Sequence, residues 1–573
     1  MELGIAAVIG VAVLVGVAAF ARRLGVAAPI ALVLAGVGLS FLPGVPEVVV
    51  PHEWVLDGVL PPLLYAAAIS VPFVDFRRNI ATISGLSVVL VLISAAGIGA
   101  LLFVLLPELG LPLAIAVGAI ISPPDAVAAT SVGRRLGLPP RLLTLLEGEG
   151  LINDATALVL LRSALAAAAG TLATPWAAVG DFLYAVVVAV VVGLVASIVT
   201  VFVRSRLEDP VLNTVVSFVV PFVAFIPAES LGASGVLAVV VAGLHTGHAS
   251  SRAFTAQSRV NDRINWRTVQ FLLENGVFLL IGLEIRSLIQ DADRAALTIP
   301  AAVGIGLVAT AGLIVVRFAW VGPVLLGERW QTRRAERRAR EQKELLESTD
   351  GVRLPREELG RAKRRYQLRR SDYRHFSSNG LGWRGGLVLG WSGMRGVVTL
   401  AAAQSLPEDI PYRPQLVLIA FTVAVSTLLI QGSTLPLLIR ATGIRGVDVP
   451  EDQRELAGLL DEITEKGLSV LEKPGEVVEG VDDVDPDVLE RVRQTSFLRS
   501  EAAWERSRGS QRDTADTPHR LYRALRLAVV TAEREALLDA RSRRAYPQRI
   551  LGQAQALLDL EETRLRLRRG STS

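Results

Sequence analysis

The feature that most limits what this chain can fold into is a succession of apolar segments, each close to the length needed to cross a bilayer. They fall near 3–21, 26–42, 54–73, 80–106, 111–133, 141–170, 176–203, 211–228, 232–247, 266–288, 296–326, 383–406 and 414–439. A helix needs roughly 20 residues to span the hydrocarbon layer, more if it is tilted or broken. Inside lipid every backbone N–H and C=O must be satisfied within the segment or by its neighbours, so these segments read as helices. The chain is therefore expected to be an all-α polytopic membrane protein with about 13 transmembrane helices.

The loops give an independent reading. Arg22 and Arg23, Arg77 and Arg78, Arg134, Arg135 and Arg141, Arg204 and Arg206, the stretch 252–267 and the basic run after Glu328 occupy alternate loops. The loops between them carry no Lys or Arg near 44–52, 107–112, 171–175 and 227–231, and elsewhere only Arg286, Arg294 and Arg413. By the positive-inside rule the N-terminus lies outside and the C-terminus in the cytosol, as a multi-pass protein of the plasma membrane. Glu2 ahead of the first apolar run and Arg22-Arg23 behind it fit a spanning helix better than a signal peptide. The chain has no cysteine, which excludes disulfides and thiolate metal sites. A net charge of +4, with its basic residues in loops, gives no reason to expect a nucleic-acid partner; the expected partner is the lipid bilayer.

Two of the segments are interrupted. The fifth contains Pro123 and Pro124 beside Asp125, and the twelfth has Gly390, Gly393 and Gly396 around Arg395. Proline removes a donor and glycine loosens a helix, so both are expected breaks. Irregular backbone at membrane depth survives only inside protein or along a wet cavity. Segments five and twelve sit at the offset expected of two inverted six-helix repeats joined by the seventh, with discontinuous helices 5 and 12.

Charge inside the membrane is concentrated in 118–162, which holds Asp125, Glu147, Glu149, Asn153, Asp154 and Arg162. Ionisable groups at that depth mark an ion or substrate path by default. At about 100° per residue, Glu149 and Asn153 share one helix face, while Glu147, Gly150 and Asp154 share another. A buried carboxylate is neutralised by a proton or by a cation. If both use the same oxygens they compete, and competition at a site reached alternately from each side is exchange. The sequence supplies no nucleophile–base pair and no metal-ligand cluster, so the chain does not read as an enzyme, and no cofactor is expected.

The blocks LPPLLYAAAISVPFVDFRRN (60–79), AIISPPDAVAAT (119–130), EGEGLINDATALVLLR (147–162), SGVLAVVVAGL (234–244), FLLENGVFLLIGLEI (271–285), GWSGMRGVVTLAAA (390–403) and QGSTLPLLIR (431–440) resemble the bacterial sodium/proton exchangers of the monovalent cation/proton antiporter family, in that family's order. The resemblance implies a secondary antiporter that exchanges Na⁺, or Li⁺ or K⁺, for H⁺ by alternating access in pH and cation homeostasis. It further implies a homodimer, with a core of spans 4–6 and 11–13 moving against the rest. By resemblance Asp154 binds the monovalent cation and the proton, and Asn153 is the neutral neighbour of the electroneutral type. Asp125 belongs to the broken fifth helix, where it neutralises a helix end and holds Asn153. Glu149 and Arg395 form a structural ion pair. Ala66, Pro124 and Gly150 depart from the family pattern at oxygen-bearing positions, which leaves sodium selectivity open. A potassium/proton exchanger is the rival within the class, and an ion channel or ion-sensing membrane protein is the rival outside it.

Other residues keep two readings. Ser122 is either a hydroxyl near the site or a helix cap. Glu147 is either a charge at the cytosolic mouth of the path or plain surface. Arg162 reads as snorkelling or pairing structurally rather than carrying ions. Glu274 and Asn275 serve either the cavity or an intersubunit contact. His245 and His248 read as ordinary histidines at a span end and loop rather than pH sensors. The expected domains are 1–442, a transmembrane exchanger with a charged cytosolic loop at 327–380, and 443–573, a cytosolic helical tail with a regulatory role. Within the tail, 476–487 reads as an acidic linker, and 521–538 and 550–567 as helices with apolar stripes through Leu525, Val529, Leu557 and Leu560.

Overall fold

Helices cover every expected apolar segment, and the described residues contain no strand. The computed structural model describes residues 2–24, 27–43, 51–170, 175–293, 297–349 and 381–444, together with parts of 361–373 and of 446–565. The chain opens with α1 (Glu2–Leu24) and α2 (Ala28–Ser40). The third segment starts as a π-helical stretch, Trp54–Val59, and tightens into α3 (Leu60–Ser70). Pro61 and Pro62 enter at the first turn of α3, where missing N–H groups disturb the ladder least. After α4 (Phe73–Arg78), the fourth segment runs through α5 (Ile80–Ser84), a π stretch and α6 (Leu90–Leu105).

The fifth segment is two half-helices, α7 (Leu111–Ile121) and α8 (Ala126–Arg135). Then come α9 (Pro140–Ala168), α10 (Pro175–Ser205), α11 (Pro210–Ser230), α12 (Gly235–Ala253), α13 (Ala256–Leu283), α14 (Ile285–Asp293) and α15 (Ile299–Thr349). The twelfth segment is again two half-helices, α16 (Gly382–Trp391) and α17 (Val397–Gln404), and α18 (Arg413–Thr442) follows. By length and composition 7 helices among the described residues can cross a membrane, and the helices at 8–21, 28–40 and 54–70 are apolar but shorter. The pair α16 and α17 falls short because each half is brief. The first half of α13 carries Arg259, Asp262, Arg263 and Arg267.

Three boundaries differ from the sequence expectation. Helix α13 begins at Ala256, not 266, because the Thr255 hydroxyl accepts from the Ser258 N–H at 3.2 Å and caps a start upstream of the apolar run. Helix α12 continues to Ala253, so His245 and His248 are helical rather than in a loop, and His245 Nδ1 lies 2.8 Å from Ser197 Oγ. Helix α15 is continuous for 51 residues from the eleventh segment into the charged stretch. At 1.5 Å per residue it is about 76 Å long, against roughly 30 Å of hydrocarbon, so more than half of it projects beyond the membrane. Nothing between Gly327 and Glu347 breaks a helix. Of the loop 327–380, residues 350–360 and 374–380 lie outside the described residues.

Without a hydrophobic drive between helices in lipid, association rests on close backbone approach and polar contacts. Gly36 of α2 lies against the backbone of Leu279 and Gly282 in α13, and Gly118 of α7 against that of Ala95 in α6. Buried polar clamps tie helix ends. Arg141 pairs with Glu328 and donates to Asn79 Oδ1 at 3.0 Å, while Thr82 donates to Glu328 at 2.7 Å. Arg204 reaches Asp262 at 2.6 Å and Asn213 at 2.7 Å, with the Phe254 ring 4.2 Å from its guanidinium carbon.

The chain divides into two compact units, 1–444 and 445–573. In the second, helices span Val449–Leu468 and Pro518–Ser542. Arg526 pairs with Glu561 at 2.6 Å and Arg534 with Glu562 at 2.6 Å. Those arginines flank buried Val530 at steps of four, so this face is the packed one. Leu525, Val529, Leu557 and Leu560 are exposed, which corrects the expected stripe. Most of the expected acidic linker 476–487, its residues 476–485, lies outside the described residues.

Gly36→Leu is expected to force α2 off α13 and lower stability by about 1–3 kcal/mol. Gly38→Leu, whose Cβ meets nothing within 4 Å, is expected to leave it unchanged. Thermal unfolding of the detergent-solubilised protein compares the two.

Candidate functional site

Two prolines and a run of glycines stop helices that would otherwise cross the core, and the two stops meet. The Asp125 N–H donates to the Met394 carbonyl at 2.5 Å, so the links 122–125 and 392–396 between the half-helices touch. Such a crossing exposes half-helix ends, whose free carbonyls and N–H groups carry partial charge. Each end is answered. Arg395 donates to the Ile121 carbonyl at 3.1 Å and the Ser122 carbonyl at 3.2 Å, closing the C-terminus of α7. It also donates to the Gly393 carbonyl, and its own N–H is fixed on Thr427 Oγ1 at 3.0 Å. Arg317 of α15 donates to the Leu389 carbonyl at 3.0 Å and closes the C-terminus of α16. Asp125 caps α8 by accepting from the Val127 N–H at 2.8 Å. Its carboxylate also lies against Gly396, the cap of α17, where a Cβ would collide with it.

Helix α9 lies alongside this crossing. Asn153 is fully buried, donates to the Pro124 carbonyl at 2.5 Å and accepts from the Asp154 N–H at 2.7 Å. It therefore holds the break by its carbonyl and not by the Asp125 side chain. Glu149 makes a bidentate ion pair with Arg317, at 2.6 and 2.9 Å, and both are about 2% exposed. The expected pair of Glu149 with Arg395 is thus corrected. Arg395 is occupied by carbonyls, and the partner comes from the eleventh segment. Arg317 carried a signal in the sequence, as a lone arginine in an otherwise apolar run.

Next to the crossing is a cavity of about 220 Å³. That is ample space for water. Asp125, Thr130, Arg134, Glu147, Gly150, Asp154, Gly396 and Thr399 line one side; Leu63, Ala67 and Ser70 of α3 and Gln270, Glu274 and Phe278 of α13 line the other. Among the described residues no donor pairs with the Asp154 carboxylate. Glu147 pairs with Arg134, whose side chain is 61% exposed, so that pair stands at the cavity's solvent-facing end.

The remaining candidates are placed as follows. Ser122 donates back to the Gly118 carbonyl at 2.7 Å and is not among the residues lining the cavity. Asn275 is turned onto the Phe271 carbonyl of its own helix, whereas Glu274 faces the cavity. Arg162 pairs with Glu229 at 2.5 Å, away from Asp154. Ala66 is buried and does not line the cavity. Gly150 fits closely on Ala126, and Pro124 supplies the carbonyl that Asn153 uses. Among the described residues no three acids or histidines converge as a resident metal site.

The sequence matches the family described as "Sodium/hydrogen exchanger, transmembrane" over residues 9–441. It is 28% identical over 554 residues to an uncharacterised Na⁺/H⁺ exchanger of Mycobacterium tuberculosis, covering 95% of this chain and 93% of that one. It is 27% identical over 444 residues to a Na⁺/H⁺ antiporter, ApNhaP, of Aphanothece halophytica, covering 76% and 73%. The fold is similar to the sodium proton antiporter MjNhaP1 of Methanocaldococcus jannaschii, with a TM-score of 0.55, 17% identity, and coverage of 76% of this chain and 98% of that one.

Arg317→Ala leaves Glu149 as a bare buried charge and is expected to cost about 3–5 kcal/mol. Removing both charges together, as Glu149→Gln with Arg317→Met, is expected to recover part of that loss. Thermal unfolding of single and double variants in a mutant cycle checks both.

Proposed function

The chain belongs to the sodium/hydrogen exchanger family, and from that premise we infer that it is a secondary antiporter exchanging Na⁺ for H⁺ across a membrane. The observation that carries this reading is the Asp154 carboxylate, which opens on the cavity without a donor among the described residues. A carboxylate so placed is neutralised by a proton or by a cation. Both occupy the same oxygens, so binding one expels the other. If the site is reached from one face at a time, exclusive occupancy becomes exchange without a separate coupling device. Asn153 adds no charge, and a single titrating carboxylate in that pair fits one cation for one proton. Asp125 adds oxygens from the opposing half-helix, and waters in the cavity complete the shell. The two relatives described above are named for Na⁺ and H⁺, which weighs toward sodium over potassium.

The moving parts follow from which helices form the cavity. Its walls are the crossing with α9 on one side and α3 with α13 on the other, which fits a core of spans 4–6 and 11–13 rocking against the remaining spans. We take the membrane region as about 13 spans in two inverted repeats, a homodimer through the non-moving spans, in the plasma membrane with its N-terminus outside. In that orientation the Arg134–Glu147 end of the cavity faces the cytosol. Residues 1–442 are the exchanger and 443–573 its regulator.

Asp154→Asn is expected to abolish exchange while the protein still inserts. Proton movement in proteoliposomes, with Na⁺, Li⁺ and K⁺ added separately and with the potential clamped or free, gives ion choice and stoichiometry. Full activity in Asp154→Asn sinks the ion-site assignment. A chain ending after Pro450 is expected to keep exchange and lose only its pH or ion dependence in the same assay; loss of exchange itself overturns the division into exchanger and regulator.

A further inference from the structure

The buried ion pairs described above join helices that move together if spans 4–6 and 11–13 rock against the rest. Glu149 with Arg317 and Arg141 with Glu328 lie inside the first body, and Arg204 with Asp262 inside the second. Two polar contacts differ, because each crosses from one body to the other. Arg162 of α9 donates to Glu229 Oε2 of α11 at 2.5 Å. Gln404, the last residue of α17, donates to Glu284 Oε2, at the end of α13, at 3.0 Å. Partners in both contacts are also anchored within their own body. Glu229 Oε1 accepts from the Gly235 N–H at 2.9 Å, which holds it on the N-terminus of α12. The Gln404 carbonyl accepts from Arg413 at 2.8 Å.

Both contacts lie on one side of the crossing. Arg134 and Glu147 mark the solvent-facing end of the cavity. Arg162 stands about 22 Å along α9 from Glu147, and about 12 Å beyond Asp154. Glu284 stands about 15 Å along α13 beyond Glu274 of the cavity wall, and Gln404 about 12 Å along α17 beyond Gly396 of the crossing. In the orientation taken above, these are the outer ends of their helices, while the open end of the cavity faces the cytosol. A contact inside one body survives a rocking motion unchanged. A contact across the boundary at the closed end must break before an outer route to Asp154 can open. Its strength is then part of the free-energy difference between the two states and sets their populations. Glu284 is 4% exposed, so its charge-assisted hydrogen bond is the stronger of the two. The Arg162 side chain is 56% exposed, and its pair adds less.

We propose that Arg162–Glu229 and Gln404–Glu284 are a two-point latch across the outer side: made in the state seen here, it holds the outer route to the cavity shut, and it breaks on each transport cycle. None of the four residues touches the transported ion; they act as positioning residues on the balance between the two states. The proposal rests on the antiporter reading and on its division into two bodies. It predicts a change in sidedness that a purely structural tie would not give.

The chain has no cysteine, so a single introduced one is a unique probe. Leu63 lines the cavity from α3. The test labels full-length Leu63→Cys with a membrane-impermeant cationic methanethiosulfonate, from outside in intact cells and from the cytosolic side in everted vesicles. With the latch intact, labelling is expected from the cytosolic side and to be slow from outside. Adding Arg162→Ala and Gln404→Ala together is expected to speed outside labelling about tenfold, with Gln404→Ala alone giving most of the gain. Gln404→Ala alone stands in if the combined variant does not insert. Arg162→Lys, which keeps the charge, is expected to label more slowly from outside than Arg162→Ala. In a separate chain, Arg162→Cys with Glu229→Cys is joined by a bifunctional thiol cross-linker, which is expected to stop Na⁺-driven proton movement until a reductant releases it. Outside labelling no faster in the latch variants overturns the proposal. So do equal rates in Arg162→Lys and Arg162→Ala, failure of the two cysteines to cross-link, or exchange that continues in the cross-linked protein. If wild type moves no protons in response to Na⁺, the antiporter reading itself fails. If wild type exchanges, Asp154→Asn does not, and outside labelling ignores the latch variants, only the latch fails.

Discussion

Everything at the centre of this protein depends on neutralising the ends of two helices broken inside a membrane. A helix end carries unpaired backbone groups and about half an elementary charge, and lipid offers neither water nor counter-ion to either. Three side chains answer four ends. Arg395 closes α7, Arg317 closes α16, and Asp125 stands between the N-termini of α8 and α17. Glu149 balances Arg317, and Asn153 ties α9 to the Pro124 carbonyl. With those groups engaged, Asp154 is left lining the cavity, its carboxylate without a donor among the described residues. The paired Glu149 and the cavity-lining Asp154 lie close together on α9 and are distinguished by what each one meets.

The surrounding helices pack closely and leave space beside that crossing. Glycines let α2 meet α13, and α6 meet α7, backbone to backbone. Clamps through Arg141–Glu328 and Arg204–Asp262 pin helix ends away from the cavity. Many polar residues of the interior thus fall into ion pairs and caps, while the Asp154 carboxylate in the cavity has no donor among the described residues. The continuous α15 links the two levels, since it carries Arg317 at the crossing, Glu328 at the clamp, and a charged extension beyond the membrane.

Much of the site is legible along the chain because its parts are local. Pro123, Pro124 and Asp125 announce a break and its cap within a few residues, and the spacing of Glu149, Asn153, Asp154 and Gly150 assigns helix faces. Partners are another matter. Glu149 pairs with Arg317 rather than Arg395, and nothing in the spacing of either arginine tells which will reach it. Ser122 turns to the carbonyl one turn back, a choice between two neighbours that a hydroxyl makes only once packing is set. Glu274 and Asn275 are adjacent in sequence, yet one faces the cavity and the other its own helix. The exposed Leu525 and Val529 mislead for a similar reason: ion pairs of Arg526 and Arg534 turn Val530 inward instead.

By itself the sequence determined that this is a chain of membrane-length helices, where two of them stop, and which acids sit at depth. Those outcomes follow from bilayer thickness, from proline and glycine stereochemistry and from helical periodicity, all of which act over a turn or a span. Only the tertiary structure decided which charge meets which. Contacts such as Glu149 with Arg317, or Asp154 and Glu274 across one cavity, join elements remote in the chain, and their pairing depends on how the helices pack.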